Sequence, residues 1–157
     1  MKKLWMMIAL CMALSGCSAA PTFETLGEIL HDHVEGDSVH KIQFSVPADA
    51  IGMGDAYFCE DYYFEVQTLN SGDLDGAIRT LCGFSQDDLT VMTAGIGDWI
   101  RYEWVWCAAG DEGDVICRAA LIDDGNQYYC LTAVAPAEKG GAVQESWNVL
   151  FSSFTVV

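Results

Sequence analysis

The sequence predicts an α+β fold: an antiparallel sheet of about six to seven strands covered by two or three helices. Three observations predict it. From Trp99 to Val134, apolar and polar residues alternate through two strong turn signals, the pattern of a three-strand meander. Two other stretches, Asp73–Gly83 and Val143–Phe154, carry their apolar residues at helical spacing instead. Finally, the 157-residue chain is 52% hydrophobic, enough to bury a substantial core in one domain.

The elements follow in order. Phe23, Leu26, Ile29, Leu30 and Val34 recur at steps that fit a short amphipathic helix, ended by Gly36-Asp37-Ser38. Ile42, Phe44 and Val46 alternate with Lys41, Gln43 and Ser45 as a half-buried strand, and Pro47 stops it. The loop Gly52-Met53-Gly54-Asp55 leads into Tyr57-Phe58-Cys59, and Glu60-Asp61 turns the chain into a strand over 62–69. Asp73 suits a helix N-cap, Leu74, Ala77, Ile78, Leu81 and Cys82 share a face, and Gly83 stands where a left-handed C-terminal cap belongs. A strand is expected over 89–93. Ile100, Tyr102, Trp104 and Trp106 then share one strand face, with Arg101, Glu103, Val105 and Cys107 on the other. Gly110-Asp111-Glu112-Gly113 and Asp124-Gly125 connect strands over 115–122 and 127–134. After Pro136 and Gly140-Gly141, a last helix gathers Val143, Trp147, Leu150, Phe151 and Phe154.

The Ile42–Pro47 strand, the aromatic meander and the closing Trp147–Phe154 helix together resemble the PsbP-like α/β sandwich of many small exported lipoproteins. The resemblance covers residues 41–157. It implies a binding or assembly role and supplies no catalytic residue to carry over, since a fold alone does not define a function.

The N-terminus carries an address. Lys2 and Lys3 precede an uncharged apolar run over 4–14, followed by Ser15-Gly16-Cys17-Ser18-Ala19-Ala20. This is the layout of a secretory signal, and the run is short of the roughly 20 residues that span a bilayer. Leu14-Ser15-Gly16-Cys17 resembles the lipobox of bacterial lipoproteins, which implies diacylation of Cys17 and cleavage just before it. The expected organisation is a signal peptide over 1–16, a lipidated tether over 17–22, an N-terminal helix and spacer over 23–40, and a single α+β domain over 41–157. The protein is then exported and lipid-anchored at the extracytoplasmic face of the membrane.

Charge narrows the partners. There are 23 acidic and 7 basic residues, a formal net charge of −16, and two of the basic ones, Lys2 and Lys3, lie in the signal. Such a balance excludes nucleic acid, whose phosphates require a basic footprint. It disfavours close contact of the domain with anionic lipid and favours cations, cationic peptides or basic protein surfaces.

Cys59, Cys82, Cys107, Cys117 and Cys130 remain beyond the lipidation site. Outside the cytoplasm they can pair, and the odd count leaves at least one thiol. The preferred scheme is Cys59–Cys82 and Cys107–Cys117 with Cys130 free; reduced, buried cysteines are the alternative. With no Cys-x-x-Cys spacing, a thioredoxin-type or zinc-ribbon site is unsupported.

His31, His33 and His40, interleaved with Asp32, Glu35 and Asp37, form the one sharp chemical grouping. Imidazole and carboxylate suit a divalent transition metal, and His31 and Glu35 lie four apart on the expected helix. The alternative is a charged, solvated spacer. Asp73-Leu74-Asp75-Gly76 opens like part of a calcium loop, but Cys82 stands where the closing glutamate belongs. No nucleophile elbow and no dinucleotide or phosphate loop occurs. The chain is therefore expected to be no enzyme and to need no cofactor beyond that metal. Trp99, Tyr102, Trp104 and Trp106 could line an aromatic groove for a protein, peptide or small ligand. The expected function is noncovalent binding by a membrane-anchored module, the alternatives being a metal-binding lipoprotein or a structural accessory subunit of an envelope assembly.

Overall fold

The structure, a computed structural model, describes residues 23–30, 40–48 and 50–157, with 23–30 and Lys41 as backbone. Ten strands and two helices form two sheets among the described residues. The strands are β1 Phe23–Leu30, β2 Lys41–Pro47, β3 Ile51–Met53, β4 Ala56–Phe58, β5 Tyr63–Asn70, β6 Met92–Ile96, β7 Trp99–Gly110, β8 Gly113–Asp123, β9 Gln127–Pro136 and β10 Thr155–Val156. The helices are α1 Leu74–Cys82 and α2 Gly140–Ser153. The large sheet runs β3-β4-β5-β9-β8-β7-β6, antiparallel throughout, and the small one runs β1-β2-β10. The expected α+β sandwich, with a seven-stranded antiparallel sheet, is the fold observed.

The large sheet is a wall with a core on each face. On the first face, Phe64, Val66, Ala120, Ile122, Tyr129 and Leu131 meet Ile42, Phe44 and Val46 of β2 and Val143, Trp147, Leu150 and Phe151 of α2. On the second, Trp104, Trp106, Cys117, Ala119, Leu121, Tyr128 and Cys130 meet Ala77 and Ile78 of α1. A sheet buried on both faces explains why β9 reads as an almost unbroken apolar run rather than as an alternation.

Local chemistry sets the boundaries. The Asp73 side chain accepts from the Gly76 N–H at 2.8 Å, and Gly83 closes α1 at φ 78°, its N–H donating to the Arg79 carbonyl at 2.8 Å. Asp75 belongs to this helix too. Its carboxylate accepts from Arg79 Nε and from the Gln86 N–H, both at 2.7 Å, pulling the following loop back onto the helix. Those bonds hold its acid strength above that of an ordinary carboxyl, and the Asp73-Asp75 pair is thereby used as helix-terminal chemistry rather than as a calcium loop. Gly52-Met53-Gly54-Asp55 and Gly95-Ile96-Gly97-Asp98 are the same device twice. Each forms a two-residue hairpin turn led by a glycine at positive φ, 65° at Gly54 and 59° at Gly97.

Three expectations are corrected. Residues 23–30 form strand β1 rather than a helix. Leu26 pairs with Phe44 and Ile29 with Ile42, so positions three apart on β1 oppose positions two apart on β2. A β-bulge thus produces in a strand the three-residue step that mimics a helix. The strand over 42–46 stands in the small sheet with β1 and β10, not in the large one. The sixth strand lies at Met92–Ile96 rather than 89–93, because a 3-10 turn over Gln86–Asp88 occupies the preceding residues. This strand is one edge of the large sheet, holds neither charge nor proline, and leaves Met92 58% exposed.

One buried cation locks the first face. Arg101 on β7 is 8% exposed and donates from Nη1 to the Phe154 carbonyl at 2.7 Å and from Nη2 to the Phe151 carbonyl at 2.6 Å. Its Nε donates to Glu103 at 2.6 Å, and the other oxygen of Glu103 accepts from Arg118 at 2.8 Å. The planar fork of arginine satisfies carbonyls at the end of α2 that no turn of helix can reach. Arg101→Ala strands those acceptors together with Glu103, and the expected loss is about 3 kcal/mol. Urea unfolding followed by tryptophan fluorescence checks this. Arg101→Lys should recover only part of the loss, since an ammonium cannot serve both carbonyls and the carboxylate in one plane.

Candidate functional site

Helix α1 is only nine residues long and shields only part of the second face. Neighbouring strands bring Phe58, Tyr63, Val134, Cys117 and Trp106 into one row across β4, β5, β9, β8 and β7; its Cys117–Trp106 end is buried in the second core, and its Phe58–Tyr63 end lies beyond the helix. Phe58 and Tyr63 stack with ring centroids 5.9 Å apart yet stay 44% and 40% exposed. Here the strand ends open into a cleft of about 640 Å³. Its apolar lining includes Phe58, Tyr63, Val115, Val134 and Pro136.

Both walls are acidic. The β4–β5 turn contributes Glu60 and Asp61, the β7–β8 tip contributes Asp111, Glu112 and Asp114, and Glu138 follows β9. The single basic lining residue, Lys139, is already engaged, its Nζ 2.9 Å from Asp61 Oδ1, which raises its pKa. Among the described residues, no ion pair reaches Glu60, Asp111, Glu112, Asp114 or Glu138. The tip depends on its glycines. A Cβ at Gly110 would stand 2.9 Å from the Gly113 carbonyl oxygen, and Gly113 has φ 136°, so both glycines are needed to close it. Burial raises the Tyr63 pKa, with smaller contributions from Glu65 and Cys117. A smaller hollow of about 150 Å³ lies beside the same 59–62 turn, bounded by Pro47, Ala142, Val143 and Ser146. Together, aromatic faces and unpaired carboxylates can hold an organic cation with attached apolar groups.

The predicted site residues fall elsewhere. Trp104 is fully buried and Trp106 is 8% exposed; the two stack at 6.4 Å in the second core against α1. Tyr102 packs against the same core, whereas Trp99 belongs to the first. These four therefore line no common groove, because α1 and the loop after it cover the face that alternation alone leaves unassigned. Cys17, His31, His33 and Glu35 lie outside the described residues. His40 is placed against Trp99 at 5.3 Å between ring centroids, with Nε2 3.7 Å from Asp124, a carboxylate that also accepts from the Tyr129 hydroxyl at 3.0 Å. No trio of His, Cys, Asp or Glu suited to a metal occurs among the described residues.

The cysteine scheme is corrected as well. No disulfide joins the described cysteines to one another. Cys59 packs on the first core and Cys82 on the second, so the sheet separates them. In the β7–β8 register Trp106 opposes Cys117 and Cys107 opposes Ile116, a one-residue offset that puts Cys107 and Cys117 on opposite faces.

No local sequence pattern marks the cleft, because each acidic turn, taken alone, is a solvated hairpin tip. The available signal was parity: the start of β5, the end of β7, the start of β8 and the end of β9 all meet at one end of the sheet.

The architecture is that of a PsbP-like sandwich. Among solved structures, the chain is similar to cyanobacterial PsbP (CyanoP) from Synechocystis sp. PCC 6803, with TM-score 0.60 and 13% identity over 92% of this chain and 99% of that one. It is also similar to LpqN of Mycobacterium tuberculosis, a protein involved in cell envelope biogenesis, with TM-score 0.53 and 13% identity over 86% of this chain and 91% of that one. No protein-family model and no curated protein matches the chain.

Thiol reactivity offers a direct check on the cysteine placement. Cys107 is exposed, whereas burial pushes the Cys117 thiol up to about 11 and raises Cys130 still further. Iodoacetamide at mildly alkaline pH should therefore modify Cys107 first in the native protein. Cys117 and Cys130 should react only after denaturation, as peptide mass spectrometry would read.

Proposed function

We propose that the protein is a lipid-anchored extracytoplasmic binding module that holds a partner noncovalently in the cleft between the Glu60-Asp61 turn and the Asp111-Glu112 tip. One observation carries this reading: two stacked aromatic rings left exposed on the floor of a concave, partly apolar surface. A folded protein has no stability reason to leave such a pair open, and exposed apolar surface in a concavity marks interaction sites. Among the described residues the cleft lining holds neither histidine nor serine, and its acids stand on a solvated rim, which supports binding rather than acid–base chemistry.

Placement at the envelope rests on the Lys2-Lys3 start, the apolar run and Cys17. Of the proteins sharing the fold, LpqN is involved in cell envelope biogenesis, which fits an accessory role there. Two acyl chains on Cys17 give stable attachment where one alone would be marginal.

Two experiments test the proposal. Cys17→Ser should move the protein from the membrane pellet to the soluble or uncleaved pool and remove the diacylglyceryl mass from its N-terminal peptide; an unchanged distribution sinks the anchor. A photo-crosslinking side chain in place of Tyr63 should give discrete adducts in cells, whereas one in place of Met92, at the far edge of the sheet, should not. Equal or absent labelling at both positions would remove the cleft from consideration.

A further inference from the structure

Resting on the cleft reading, we infer that the occupant is a basic peptide segment, lying extended across the strand ends with lysine or arginine side chains reaching the two acidic walls.

Three features select this occupant. The first is span. Strand β4, which carries Phe58, and β8, which carries Val115, lie three strand spacings apart, about 14 Å at the usual ~4.8 Å each, the length of about four extended residues. A single ammonium group cannot address both walls at once, whereas a peptide with cations on alternate residues can. The second is charge. Around the cleft, Lys139 pairs closely with Asp61 and feels Glu60 and Glu138 at longer range, while Asp111, Glu112 and Asp114 make no ion pair among the described residues. The carboxylates stand on separate segments, 60–61, 111–114 and 138, so they form two facing walls rather than one cluster. The third is the floor. Exposed Phe58 and Tyr63 faces with Val134 and Pro136 between the walls favour a ligand with apolar surface, and the ring faces favour guanidinium over a simple inorganic cation. The net charge of −16 adds long-range attraction for any basic segment and repels a second copy of this chain.

The test uses the full mature chain in detergent, titrated calorimetrically with a capped Ala-Arg-Leu-Arg-Leu-Ala peptide, its Arg-to-Gln counterpart and spermidine. The arginine peptide should bind, and more weakly as salt rises. Neutralising the tip with Asp111→Asn, Glu112→Gln and Asp114→Asn should weaken it at least tenfold. Neutralising three exposed acids elsewhere, with Asp87→Asn, Asp88→Asn and Asp98→Asn, should change it less than twofold. Tyr63→Ala provides a second, uncharged probe of the same site and should also weaken binding several-fold; circular dichroism confirms that each variant is folded. Equal losses from the two charge triples would reduce the effect to bulk attraction and overturn the inference. Spermidine binding more tightly than the peptide would overturn the peptide assignment. The glutamine peptide binding as well as the arginine peptide, with loss on Tyr63→Ala, would overturn the cationic assignment while leaving the cleft as a site. Failure of every ligand to bind overturns the inference, and the crosslink at Tyr63 then decides separately whether the cleft itself survives.

Discussion

The guanidinium of Arg101 is the interaction on which the rest of the structure turns. Burying a charge is tolerable only where it is paired and hydrogen-bonded, and here Nε, Nη1 and Nη2 each donate, to the Glu103 carboxylate and to two carbonyls at the end of α2. The bond runs between a strand of the large sheet and the end of a helix roughly fifty residues later, so it fixes where α2 stops and β10 starts. Strand β10 pairs with β2, which pairs with β1, and the small sheet is thereby joined to the large one by more than apolar contact. Arg118, seated over the Phe151 ring at 4.3 Å, extends the same layer toward Asn148. In a chain with few basic residues, two of them are committed to this join.

A second constraint shapes the other face. The large sheet is wide, while α1 is short and is stopped by Gly83 in a conformation that other residues adopt only with strain. The helix shares a core with the indoles of Trp104 and Trp106 and leaves the β4–β5 side of the same face, with Phe58 and Tyr63, open. The cleft is thus a product of mismatch between the width of the wall and the length of its cover. Its acidic rim follows from where the turns fall, since hairpins ending at the same side of a sheet pool whatever charges their tips carry.

Much of this was legible in the residues. Asp73 and Gly83 bracketed a helix, and the apolar set from Val143 to Phe154 marked the helix that is in fact buried. What stayed hidden depended on counts that composition cannot supply. A bulge in β1 produced helical spacing in a strand. A one-residue difference across the Asp111-Glu112 tip decided that Cys107 and Cys117 face apart. Arg101 looked like one more polar residue on an alternating strand, because nothing local states that a distant helix will end against it. The aromatic residues of β7 were visible as a set, but alternation does not reveal which side a helix will cover.

The edge at β6, uncharged along the strand and unpaired among the described residues, has a consequence for how copies of this protein behave at close quarters. Most sheets guard such an edge on the strand itself, with lysine, proline or a twist. Here the guard is the charge of the whole molecule: like-charged copies repel before their edges can meet. That form of protection is collective and has a range, about 8 Å at physiological ionic strength and less in brine. Dispersion of the protein is therefore a property of its medium as much as of its surface, and the same edge that is inert in dilute buffer becomes an adhesive seam when the charge is screened or neutralised.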